Sequence, residues 1–204
     1  MQIIDDSNLS AAVAHLCAIE PKFASVVARH GEPPLWARKP GFPTLVHIIL
    51  EQQVSLASAK ACFDKLNARL PSLTPREFLK LGDEELLDLG YSRQKTRYTR
   101  ILAQEVENGS LDLSGFSELP DEKVFKRLVS LKGIGPWTAN IYLLMALGRP
   151  DIWPAGDLAL VVALEKLFNL DYRPGEKLFN EYAKKWQPFR SVAARILWHH
   201  YLSS

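Results

Sequence analysis

Residues 124–158, VFKRLVSLKGIGPWTANIYLLMALGRPDIWPAGDL, decide how the chain is read. An amphipathic run from Val124 to Leu131 stops at Lys132-Gly133-Ile134-Gly135, and a second run, Pro136 to Leu147, starts at once. Pro136 stands at the first helical position, where its missing N–H costs nothing. Two glycines around one apolar residue allow a tight hairpin, with Ile134 plugged into the core and backbone N–H groups pointing outward. Exposed N–H groups beside a helix start suit an anion such as a nucleic-acid phosphate. Gly148 and Pro150 end the second run, and Trp153-Pro154-Ala155-Gly156 deliver Asp157 just ahead of another apolar run. An acid on a loop at a helix start, near an anion-binding hairpin, is the pattern of an active centre. Each part also has a plain reading. G-x-G between helices is often only a turn, and an Asp at such a place is most often an N-cap.

Composition narrows the setting. The 204 residues, 47% of them apolar, can bury a good core as one compact domain or two intimate lobes. Net charge is only +2, so any nucleic-acid surface must be a local patch. The two cysteines, Cys17 and Cys62, lie in apolar helical patterns and read as core thiols, too few for a structural metal or cluster site. The N-terminus MQIIDDSNLS is acidic and polar, so no signal peptide is expected, and no apolar run reaches membrane-spanning length. A cytoplasmic location is expected, nucleoid-associated for a DNA-binding chain, or a nuclear one if the source has a nucleus.

Helical periodicity recurs along the chain and no alternating strand pattern appears, so the expected fold is all-α. Helices are expected from Asn8 to Glu20, capped by Ser7 or Asn8, and from Pro21 to about His30. Next come Phe42 to Gln53, and a helix capped by Ser55 that runs to about Arg69. Thr74-Pro75-Arg76-Glu77 is a capping box, Asp83 opens a short helix ending at Gly90, and Ser92 to Asn108 is a longer one. Leu111 to Leu119 reads as a loop. Three more helices follow Asp157: to about Phe168, from Pro174 to Trp186 and from Phe189 to Tyr201. Leu86–Thr96, LLDLGYSRQKT, loosely echoes Leu128–Thr138, LVSLKGIGPWT, in apolar spacing and in its turn before a helix. Residues 91–100, YSRQKTRYTR, carry Arg93, Lys95, Arg97 and Arg100 with no acid. That run is either a solvated helix face or a holder for a second stretch of phosphate backbone.

L-K-G-I-G-P-W-T-A at 131–139, followed by P-A-G-D at 154–157, resembles the helix-hairpin-helix (HhH-GPD) DNA glycosylase superfamily, and most of all its DNA-3-methyladenine glycosylase II branch. Two further stretches carry the likeness. Glu51-Gln52-Gln53-Val54-Ser55 is similar to the family segment that contributes to the lesion site and inserts a side chain into the DNA stack. Trp186-Gln187-Pro188-Phe189-Arg190-Ser191 through His200 resembles the family's C-terminal helix. The resemblance implies a single domain over 1–204 with the active-site cleft between two helical lobes. Lobe one would be about 41–149, with the hairpin at 131–136, and lobe two about 1–40 plus 150–204.

By the same resemblance Asp157 falls on the catalytic aspartate, Gln53 on the DNA wedge with Gln52 in support, and Trp198 on an aromatic wall of the base pocket. Trp137 and Ile141 also fall on pocket positions. Lys132, Gly133, Ile134, Gly135 and Thr138 fall on the DNA-binding hairpin, and the basic run at 91–100 adds Arg93 and Lys95 as candidate DNA contacts. Trp186 and Phe189 read as core, and the adjacent His199 and His200 make a poor metal pair. Bifunctional relatives place a lysine where this chain has Trp137, so a monofunctional enzyme with water as nucleophile is implied. The implied activity is excision of alkylated purines, 3-methyladenine and 7-methylguanine, from damaged double-stranded DNA by a monomer. No cofactor and no iron–sulfur cluster are expected; Na⁺ or K⁺ at the hairpin is the one ion that the likeness suggests. Two alternatives stay open at this point: a glycosylase for oxidised, deaminated or mismatched bases, and a non-catalytic DNA-binding module.

Overall fold

The computed structural model describes residues 3–203. Its first helices are α1 (Leu9–Ile19), α2 (Pro21–His30), α3 (Phe42–Glu51) and α4 (Leu56–Arg69). Then come α5 (Pro75–Leu79), α6 (Asp83–Asp88), α7 (Arg93–Glu107), α8 (Asp121–Val129) and α9 (Pro136–Ile141). The last three are α10 (Leu158–Phe168), α11 (Glu176–Lys184) and α12 (Arg190–Leu202). There is no strand among the described residues.

Helix starts lie where short polar side chains satisfy a first-turn N–H. Ser55, Thr74, Ser92 and Asp157 each accept a hydrogen bond from the residue three further on, each cap being worth about 1 kcal/mol. Three local expectations are revised. Asn8 precedes α1 but makes no side-chain cap, because its Oδ1 accepts the Asp5 N–H instead. The loop at Leu111–Leu119 contains a 3₁₀ turn, Ser114–Glu118, that buries Phe116. The helix expected from Pro136 to Leu147 is α-helical only to Ile141, then widens to a π turn over Tyr142–Ala146. That turn inserts an extra residue and rotates every following side chain, which hydrophobic spacing cannot reveal.

The chain divides into two compact units, Arg38–Tyr142 and Met1–Ala37 with Leu143–Ser204. The first is built around α3, whose Leu45, Val46, Ile48 and Ile49 are fully buried, with α4, α7 and α9 packed on it. Cys62 lies in this core. Tyr142 closes the unit by accepting the Gly41 N–H on its hydroxyl at 2.9 Å.

The second unit is built around α12, in which every residue from Ser191 to Trp198 is buried. α1, α2, α10 and α11 pack against it, and Cys17 on α1 is only half-buried. Arg195 is the one strongly polar side chain at the centre of this helix. Its guanidinium donates to the backbone oxygens of Leu35 at 2.8 Å, Ser191 at 3.1 Å and Leu144 at 3.0 Å. Burial pushes its pKa down to about 10, which still leaves it charged at neutral pH. One side chain thus ties the segment before α3 and the segment within the π turn to the central helix. Arg195→Met keeps much of the volume but strands buried carbonyls, so stability is expected to fall by about 3 kcal/mol. Chemical denaturation of the variant should show that loss as a lower midpoint.

Candidate active site

The loop from Pro150 to Asp157 is held at both ends by α12. At its start, Arg190 donates to the Asp151 carboxylate, Nε to Oδ1 at 2.8 Å and Nη2 to Oδ2 at 3.0 Å. The Ser191 N–H bonds the Pro150 oxygen at 3.0 Å, and the Ser191 hydroxyl accepts the Ile152 N–H at 2.9 Å. Trp153 then packs on Phe179 and Trp186, ring centroids 4.7 and 5.5 Å apart. The cost of ordering the loop is met by these anchors and by a turn at Gly156, whose φ of +84° suits glycine.

The loop ends on Asp157, 9% exposed. Its Oδ1 accepts the Leu160 N–H at 2.9 Å and the Trp198 indole N–H at 3.2 Å. The N-cap reading of Asp157 is therefore realised, and the same oxygen is oriented from a second direction by the side chain of α12. Leu158, the next residue, is 64% exposed, so this buried carboxylate sits one residue from the surface. A carboxylate fixed in direction and largely removed from water stabilises a nearby developing positive charge far better than one in solution does.

In the unit of residues 38–142 a second arrangement forms at the hairpin. Gly133 adopts φ +98°, and a Cβ there would overlap the Tyr98 ring of α7. Ile134 is buried, as its apolar character implies, and its N–H donates to the Leu131 oxygen at 3.1 Å. Gly135 is exposed at φ −89°, and a Cβ on it would meet open space. Nothing inside the protein demands glycine at 135. Lys132 is exposed beside it. The end of α3 is stitched to this hairpin, because the Gln52 side-chain amide donates to the Gly133 oxygen and to Thr138 Oγ1, both at 2.9 Å. Gln53 follows, exposed and held at φ +56°, a backbone region that costs a non-glycine residue on the order of 1 kcal/mol.

Several residues named from the sequence take different places. Thr138 is buried and takes the Gln52 amide on its hydroxyl, so its side chain serves the hairpin's own packing rather than a DNA surface. Ile141 is also buried, within the unit built on α3. Lys95 does not stand out as a surface cation. Its Nζ donates to the Leu50 oxygen at 2.6 Å, closing the C-terminal end of α3, and burial pushes its pKa down. Trp137 is half-exposed near the start of α9. Trp198 is buried with its N–H on Asp157, a role that the sequence did not announce. Arg190 and Ser191 were also missed as loop anchors, although the Arg-Ser pair at the head of α12 was the available signal. Trp186 is core as expected, whereas Phe189 is half-buried against His15.

Comparison with known proteins follows the same lines. The family model described as HhH-GPD superfamily base excision DNA repair protein matches residues 46–188. The alkylbase DNA glycosidase-like protein mag2 of Schizosaccharomyces pombe is 28% identical over 202 residues, covering 95% of this chain and 94% of that protein. The YfjP protein of Bacillus subtilis is 35% identical over 124 residues, 61% of this chain, and the chain spans only 43% of that relative's length. Among solved structures, the Schizosaccharomyces pombe 3-methyladenine DNA glycosylase Mag1 in complex with abasic DNA superposes with a TM-score of 0.87. It is 26% identical, with 92% of this chain and 95% of that one covered.

The two hairpin glycines separate internal from external demands. Gly133→Ala introduces both strain and overlap with Tyr98, so the loss is expected to be about 1–3 kcal/mol and the melting temperature to drop by several degrees. Gly135→Ala should melt like the unaltered protein. Thermal denaturation of the two variants side by side reads the contrast.

Proposed function

The chain belongs to the HhH-GPD superfamily of base excision DNA repair proteins, and on that premise we propose that it hydrolyses the N-glycosidic bond of alkylated purines, 3-methyladenine and 7-methylguanine, in double-stranded DNA. The observation that carries the reading is the buried Asp157 carboxylate, fixed by the Leu160 and Trp198 N–H groups. The 3-methyladenine glycosylase Mag1, alike over nearly the whole chain, supports the substrate class.

The chemistry follows from what the bond requires. The damaged nucleotide leaves the stack, at a cost of a few kcal/mol that is smallest for damaged bases. Gln53, exposed and held in its strained turn, fills the space left behind, and Gln52 keeps that turn fastened to the hairpin. As the C1′–N bond breaks, the base leaves with the bonding electrons and positive charge builds on the deoxyribose. Asp157 stabilises that charge, and water then adds at C1′ and gives up a proton to the carboxylate or to solvent. A methylated purine carries positive charge before cleavage and departs neutral, so it needs no strong general acid. Trp137 offers an indole face to such an electron-poor ring. With tryptophan rather than lysine at 137 there is no amine there to form a Schiff base, so the enzyme is monofunctional.

The hairpin holds the DNA backbone through its exposed N–H groups and Lys132, and Gly135 lets a phosphate approach closely. The oxygens of Leu131 and Gly133 each accept one N–H bond and keep a second lone pair. That set of neutral oxygens fits Na⁺ or K⁺, which would draw a phosphate oxygen toward the hairpin. The enzyme acts as a monomer where the DNA is, in the cytoplasm of a cell without a nucleus or in the nucleus of one that has it. Among the described residues no helix is long and apolar enough to cross a membrane.

Incubation with randomly methylated DNA, followed by chromatography of the freed bases, tests the proposal. Release of 3-methyladenine and 7-methylguanine is expected. No freed base, or freed oxidised bases alone, would contradict it. Borohydride should trap no covalent DNA adduct, and product strands should break only after alkali. Trp137→Ala should slow excision of the cationic bases by about 1–2 kcal/mol, a larger loss than for neutral hypoxanthine. Equal losses would make Trp137 a packing residue.

A further inference from the structure

The turn between α6 and α7 repeats the backbone of the hairpin. Gly90 has φ +101° and Gly133 has φ +98°. Each is followed by a buried residue, Tyr91 at 1% exposure and Ile134 at 4%. Each buried residue is followed by an extended N-cap, Ser92 with ψ 155° and Gly135 with ψ 177°. The sequence echo between Leu86–Thr96 and Leu128–Thr138 is thus a structural repeat, shifted by one residue from the pairing that apolar spacing suggested.

This second turn is joined to the hairpin and to the Gln52-Gln53 segment inside a single compact unit. The Tyr98 ring of α7 lies directly against Gly133. The Lys95 ammonium bonds the Leu50 oxygen, two residues before Gln52, which in turn bonds the Gly133 oxygen. Around this junction Arg93, Arg97 and Lys132 are exposed, and none of their side chains has a hydrogen-bond or ion-pair partner among the described residues. Arg93 and Arg97 are one turn apart, so they share a face of α7. Arg100, a turn further on, is already paired with Asp83, so the unpaired cations of α7 lie in its first five residues.

We propose that Arg93 and Arg97 on α7 bind a second stretch of DNA phosphate backbone, apart from the one held at the hairpin. Guanidinium forks match phosphate oxygens. Cations placed on two separate elements, rather than converging on one point, fit a chain of phosphates better than a single anion. Lys95, spent on Leu50, takes no part. The contact is independent of base identity, so it raises affinity for damaged and undamaged DNA alike.

The proposal rests on the DNA glycosylase reading, and the test separates the two. Binding of an undamaged and of a methylated duplex is measured across a series of salt concentrations for the unaltered protein, the Arg93→Ala/Arg97→Ala double variant and Lys132→Ala. The double variant should lower the slope of log K against log salt by about 1–2, since each phosphate that a cation neutralises adds roughly 0.9. Lys132→Ala, at the hairpin, should lower it by about 1. Melting temperature should be unchanged in the double variant, because both side chains are exposed. A slope equal to that of the unaltered protein, while Lys132→Ala changes it, overturns the second contact. A loss confined to damaged DNA overturns it equally. Failure of the unaltered protein to bind DNA or release any base would sink the glycosylase reading instead.

Discussion

Asp157 Oδ1 takes hydrogen bonds from the Leu160 amide and the Trp198 indole, and this pair of bonds fixes where a negative charge can act. Much of the unit around α12 exists to keep that geometry. Arg190 and Ser191 grip the start of the loop at Asp151 and Ile152, while Trp198 grips its end. Those grips lie two turns apart on one helix, a span of roughly 10–12 Å, so α12 works as a ruler that sets the loop's reach. Arg195 lies between them and holds the ruler in place through three backbone oxygens. A helix buried along its whole middle cannot slide without breaking all of these contacts. The carboxylate therefore acquires its direction from tertiary structure, although its position in the chain is only that of an ordinary helix cap.

The unit around α3 solves a different problem, how to present backbone rather than a reactive side chain. Gly133 is pressed on Tyr98 and Ile134 is sunk in the core. The hairpin is then rigid enough to offer its remaining N–H groups without reorganisation. Gln52 carries that rigidity across to the strained Gln53. The proposed function assigns binding to the unit of residues 38–142 and chemistry to the loop that ends on Asp157. On the proposed function, phosphate contacts set affinity and carry no base information, whereas the loop carrying Asp157 governs base release.

Much of this was legible in the sequence because it is local. Caps at Ser55, Thr74, Ser92 and Asp157 depend on a few neighbouring residues, and Gly133 announces a left-handed turn by having no side chain. What was not legible depends on distant partners. Lys95 looks like a surface cation until the end of α3 is placed beside it. Thr138 and Ile141 look available to a ligand until the packing of α9 turns them inward. The indole of Trp198 reads as a flat apolar wall, and only the loop's position reveals its N–H as the working part. The π turn at Tyr142–Ala146 left no mark in the apolar spacing, because each residue there is hydrophobic whichever way it points.

Substitution of Asp157 by asparagine tests the central claim most directly. Asparagine caps helices about as well as aspartate and keeps an oxygen for the Leu160 and Trp198 N–H groups, so the negative charge is removed while the cap and the indole bond are retained. Asp157→Asn should melt like the unaltered protein and bind methylated DNA, yet release almost no 3-methyladenine. Release at a near-normal rate from a folded, DNA-binding variant would contradict the account and leave Asp157 as a helix cap alone.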